Sequence, residues 1–77
     1  MLEQILDGKK IQSLREARGW STLRFAAEIG LSQSTIYKLE ANQVTPGLKI
    51  ACEMAVKLGA GLGEILHDDA KRELGID

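Results

Sequence analysis

Three times along this chain an apolar residue, a side chain able to cap a helix, and a second apolar residue four places beyond the cap recur in the same order. Leu6 and Ile11 flank Asp7, Trp20 and Phe25 flank Ser21, and Leu31 and Ile36 flank Ser32. This spacing is that of the hydrophobic staple, in which the residue before the N-cap packs against the fourth residue of the helix. Stop signals match the starts. Gly19, Gly30 and Asn42 stand where the first three helices must end, and glycine and asparagine accept the left-handed conformation that closes a helix. With no alternating runs of β-branched residues, the chain is expected to be all-α, built from four or five short helices.

The first helix is predicted to run from Asp7 to about Arg18, the second from Ser21 and the third from Ser32. A fourth opens near Thr45, with Pro46 at its first helical position, and ends at Gly59. Gly61 caps a short fifth segment carrying Leu62, Ile65 and Leu66, which is read as continuing through Ala70 to Leu74 before Gly75. Seventy-seven residues suffice for one domain, covering 1–77, and exclude a barrel or a doubly wound sheet.

Several function classes drop out on composition. One cysteine, Cys52, and one histidine, His67, supply neither a disulfide framework nor a metal-ligand set, so no metal, no cofactor and no enzyme activity are expected. The apolar runs are far shorter than the roughly 18 residues that span a bilayer. No secretory segment precedes Glu3 and Asp7, and a cytoplasmic protein with no membrane partner is expected. The run from Gly59 to Gly63 is helix punctuation and no phosphate loop, because it follows a helix where such a loop follows a strand. Trp20 is read as a staple residue, Cys52 as a small core residue, and His67 as part of a solvated tail.

Charge is unevenly spread. The net charge is -1, yet residues 9–49 carry +4, against -3 over 50–77 and -2 over 1–8. A basic segment of this kind binds phosphate despite the acidic total.

Within that segment, residues 22–41 place Phe25, Ala26 and Ile29 inward on one helix, turn at Gly30-Leu31-Ser32, and place Ile36 and Leu39 inward on the next. Ala26 allows a close crossing and Gly30 an unstrained turn, the requirements of a helix-turn-helix. The stretches Leu14 to Ser21, Ala26 to Ile36 and Leu39 to Asn42 resemble the lambda-repressor-like, Cro/XRE-type helix-turn-helix family, over about residues 9 to 66.

The resemblance implies a five-helix DNA-binding domain of a bacterial or phage transcription regulator, often a homodimer on a near-palindromic operator. It places Gln33, Ser34, Tyr37 and Lys38 on the exposed face of the recognition helix, residues 33–41, with Ser32 at its cap. Gln33 is suited to an adenine edge, Lys38 to guanine or phosphate, and Ser34 to several bases. Thr22 stands where the family commonly has a phosphate-gripping glutamine, so a hydroxyl and backbone N–H groups serve there instead. Lys9, Lys10, Arg24, Thr35, Asn42 and Gln43 are further candidates for the DNA backbone. The family pattern also pairs Arg15 with Glu40 as a structural salt bridge.

The fourth helix is apolar around most of its circumference, with only Lys49, Glu53 and Lys57 forming a polar stripe. Part of that surface, within residues 46–74, is expected to form a dimer interface through Met54, Leu62, Ile65, Leu66 and Leu74. A second reading gives the same surface to a regulatory protein partner, as in an antitoxin, with DNA binding secondary. Control is expected to come from concentration or from such a partner.

Overall fold

The carboxylate of Asp7 accepts hydrogen bonds from the backbone N–H groups of Lys9 (3.0 Å) and Lys10 (3.4 Å) and so starts the first helix, as the cap signal predicts. In the computed structural model, which describes residues 6–75, the elements are α1 (Gly8–Ala17), α2 (Thr22–Ile29), α3 (Gln33–Glu40), α4 (Leu48–Leu58), a 3₁₀ turn (Leu62–Ile65) and α5 (Asp68–Leu74). The described residues hold no strand beyond an isolated antiparallel bridge between Leu6 and Leu66, so the all-α expectation stands.

Ser21 and Ser32 accept from the N–H groups of Arg24 (3.0 Å) and Thr35 (3.1 Å), three residues on in each case. The staples close as well. Leu6 and Ile11 are buried together, and the rings of Trp20 and Phe25 stack with centroids 6.1 Å apart. Every helical element then contributes at least one side chain of 0–2% exposure to a common core: Ile11, Phe25, Ile36, Met54, Ile65 and Ala70.

One glycine is fixed by space. Gly8, the first residue of α1, lies so close to the end of α3 that an added Cβ would stand 2.4 Å from the carbonyl oxygen of Glu40 and 2.5 Å from that of Leu39. Its N–H donates to Oδ1 of Asn42 at 2.8 Å. Asn42 itself takes φ +60°, while the N–H groups of Asn42 and Gln43 bond the carbonyls of Leu39 and Lys38, ending α3 in a Schellman motif. One asparagine therefore ends the third helix and caps the first.

Two expectations for the C-terminal half are corrected. α4 begins at Leu48 behind an extended Gly47, whose carbonyl takes the first helical bond from Ala51 (3.0 Å), so Thr45 and Pro46 lie outside the helix. Pro46 instead lines an apolar groove with Leu6, Leu62 and Leu66. Nor is the last segment continuous. The N–H of Asp7 donates at 2.8 Å to the carbonyl of Ile65, the acceptor that a continuing helix would need, and Leu66 and His67 are extended. α5 restarts at Asp68 and docks through Ala70.

The interface expectation is corrected by burial. Met54 (0%), Ile65 (0%) and Leu66 (2%) are enclosed within the chain and have no surface to offer a second copy. Of the five named residues, Leu62 is half-buried and only Leu74 is exposed. The outward apolar residues of α4 are Leu48, Cys52 and Val56, so Cys52 is a surface residue and not part of the core. His67 is also no solvated tail: it is half-buried at the N-cap of α5, with Nδ1 3.6 Å from Asp7 Oδ2.

Candidate nucleic-acid interface

The turn between α2 and α3 is built on Gly30 at φ +82°, with the N–H groups of Gly30 and Leu31 both donating to the carbonyl of Ala26 at 2.8 and 2.9 Å. Ala26 is 2% exposed and Ile36 0%, the small and large halves of the crossing. The turn brings the N-terminal ends of the two helices together. Nε2 of Gln33, the first residue of α3, donates to Oγ1 of Thr22, the first residue of α2, at 2.8 Å, and reaches Oη of Tyr37 at 3.5 Å.

That contact orients Gln33. Its amide carries two N–H donors and one carbonyl acceptor. One donor is used by Thr22, and Ser34, Tyr37 and Lys38 beside it are exposed. Tyr37 is 57% exposed. Lys38 is exposed and forms no ion pair among the described residues.

The one carboxylate of α3 is withdrawn from this surface. Glu40 receives Nε of Arg15 at 2.7 Å and Nη2 at 3.2 Å, while Nη1 of Arg15 donates to the carbonyl of Trp20 at 2.7 Å. Both side chains are at least nine-tenths buried. The hydrogen bond to Glu40 holds the Arg15 pKa above its ordinary value, against the cost of burial. This bidentate pair ties α1 to the end of α3 and fixes the tilt of α3 against the rest of the domain.

The remaining candidates divide into those left free and those already occupied. Lys9 and Gln43 are exposed. Ser32 and Thr35 share a hydroxyl contact of 2.8 Å at the start of α3. Arg24 is exposed but bonds Glu28 at 2.9 Å and lies 5.5 Å from the ring centre of Trp20, with the Arg18 guanidinium at 4.6 Å from the same ring. Two candidates are committed to the fold: Nζ of Lys10 donates to the Leu66 carbonyl (2.9 Å) and to Asp68 (3.0 Å), and Asn42 caps α1.

Sequence reasoning missed Gln12. It lines, with Arg15, Thr22, Tyr37, Glu40 and Ala41, a shallow depression of about 330 Å³ where α1 meets the α2 and α3 ends. No local signal marks Gln12, because its place depends on the angle at which α1 crosses α3. Among the described residues, no cluster of His, Cys, Asp and Glu could hold a metal ion, and no helix is long and apolar enough to cross a membrane.

The helix-turn-helix sequence model matches residues 11–65. The chain belongs to the Cro/XRE-type helix-turn-helix family. This is a family of DNA-binding transcription regulators and not a family of enzymes. The helix-turn-helix chain is 40% identical over 53 residues to a protein of Halorubrum lacusprofundi named as an HTH-type transcriptional regulatory protein, a match covering 69% of this chain. It spans about 15% of the length of the curated relatives it matches. Among solved structures it superposes on the restriction-modification controller protein C.AhdI from Aeromonas hydrophila with TM-score 0.69 and 28% identity, covering 74% of this chain and 83% of that one. A hypothetical transcription factor, NHTF from Neisseria, shares the fold at TM-score 0.70 and 22% identity, over 87% and 78% of the two chains.

Proposed function

We propose that this chain is a sequence-specific operator-binding transcription regulator that reads double-stranded DNA through α3 and acts as a homodimer. The observation that carries the reading is the bond between Gln33 and Thr22. It joins the N-terminal ends of α2 and α3 and holds the Gln33 amide where its carbonyl meets an adenine N6 and its second N–H, in only a long 3.5 Å contact with Tyr37, turns to N7. Lys38 supplies a donor to guanine or phosphate, Ser34 bonds a base or a phosphate, and Tyr37 meets a thymine methyl or the sugar. Thr22, Ser32, Thr35 and the N–H groups of the first turns face the phosphates on either side, with Lys9, Arg24 and Gln43 at the flanks. The modest basic charge of residues 9–49 favours two copies on one site, which doubles the phosphate contacts.

The test is selection from a random duplex library with the wild-type chain and with a Gln33→Ala, Lys38→Ala double variant. A two-fold symmetric site with half-sites about one turn, roughly 34 Å, apart is expected, and the variant should fail to enrich it. Affinity for the selected site should fall as salt rises, because bound phosphates release counterions. No enrichment at low salt would sink the operator reading and turn the search to a regulatory protein partner.

A further inference from the structure

We propose that the outer face of α4 is the surface on which two copies meet, with the two α4 helices antiparallel and crossing at Cys52. This rests on the homodimer reading above and names the contact that reading leaves open. Leu48 and Val56 are 71% and 75% exposed, and Cys52 lies between them on the same face at steps of four. A single turn of symmetry makes this face its own complement. A two-fold axis at the level of Cys52 sets Leu48 against the partner's Val56 and Val56 against the partner's Leu48, as an isologous interface requires.

Shape and charge select this register. A shallow, largely apolar hollow of about 230 Å³ lies among Cys52, Glu53, Val56 and Lys57, at the level that Leu48 of the second copy reaches. Lys49 and Glu53 flank the stripe on one side, and neither forms an ion pair among the described residues. In the antiparallel arrangement Lys49 lies about 3 Å along the axis from the partner's Glu53, a rise of two residues. The same pairing occurs twice by symmetry. In a parallel pair the two-fold axis runs along the helices and carries Lys49 and Glu53 to opposite sides of the seam, so this pairing is lost.

Cys52 offers a direct test of the crossing. Helices packed about 9 to 10 Å apart, with Cα atoms on a radius of about 2.3 Å, bring two facing Cα atoms to about 4.4 to 5.4 Å, within the range a disulfide bridges. The full-length chain is treated with diamide, which takes up the two electrons and two protons lost as two thiols join. Rapid formation of a disulfide-linked dimer, abolished by Cys52→Ser, is expected.

The register is tested by mixing two variants that both carry Cys52→Ser, one with Leu48→Cys and the other with Val56→Cys. Each alone should stay unlinked, since its thiols lie about 12 Å apart along the axis, and the mixture should link. Val56→Asp should weaken dimerisation by more than about tenfold, because two buried carboxylates would lack partners, with an unchanged helical circular dichroism spectrum. If sedimentation shows a dimer that neither links through Cys52 nor responds to Val56→Asp, this assignment is overturned and the homodimer reading survives. A chain that stays monomeric at all concentrations, on DNA as well as off it, overturns both.

Discussion

α3 and α4 differ in what they leave outside. On α3 the side chains turned to solvent are polar, and the one carboxylate, Glu40, is neutralised by Arg15. On α4 the inward face, Ala51, Met54, Ala55 and Leu58, fills the core, and the outward face still holds Leu48 and Val56. An exposed polar face on a helix is the ordinary outcome of folding in water. An exposed apolar stripe with no internal reason is the feature that calls for a partner. On the proposed reading, the two surfaces divide the labour of a regulator between reading a sequence and pairing copies.

Breaking the support of the first surface has the largest expected effect. Arg15→Ala leaves the Glu40 carboxylate buried without its partner and should cost about 3 to 5 kcal/mol in urea unfolding. Survival of full stability would show that the pair does not anchor α3. Gly8→Ala drives a Cβ into the last carbonyls of α3 and is expected to cost about 1 to 3 kcal/mol by the same measurement, as overpacking does.

Next come the residues proposed to read bases. Gln33→Ala and Lys38→Ala should each remove about 1 to 3 kcal/mol of discrimination between the selected site and a mismatched one. Their unfolding midpoints should hardly move, which separates reading from folding. On the other side of the comparison, Leu48→Ser should change the stability of the monomer by less than about 0.5 kcal/mol, because the side chain is already in water. A larger loss would make Leu48 part of the core after all.

The smallest effect is electrostatic. The hydrogen bond from Arg24 holds the Glu28 carboxyl below the usual range, and the bond from Lys10 does the same for Asp68. A carboxylate depressed in the folded state stabilises above its unfolded pKa, and that contribution fades as pH falls through the folded value. Stability should therefore decline modestly below the usual carboxylate range, and Asp68→Asn should flatten part of the decline. A steeper profile in Asp68→Asn than in the wild type would contradict the sign.

Local chemistry made much of this legible in advance. Asp7, Ser21 and Ser32 cap helices because each side chain finds N–H groups two or three residues away, and Gly30, Gly59 and Gly75 stop them at positive φ. Long-range contacts were not legible. Nothing near Lys10 announces Asp68, 58 residues on, and nothing near Asn42 announces the N–H of Gly8. Met54, Ile65 and Leu66 are as apolar as Leu48 and Val56, and composition alone could not say which would be enclosed.

The sequence by itself determined the helices, their order, the helix-turn-helix and its family, because caps, staples and turn residues act within a few positions along the chain. Only the tertiary structure decided where α4 begins, why the last segment breaks at Leu66, and which apolar side chains remain outside. Those outcomes depend on the crossing of distant elements, where a single carbonyl or a single Cβ decides what space is left.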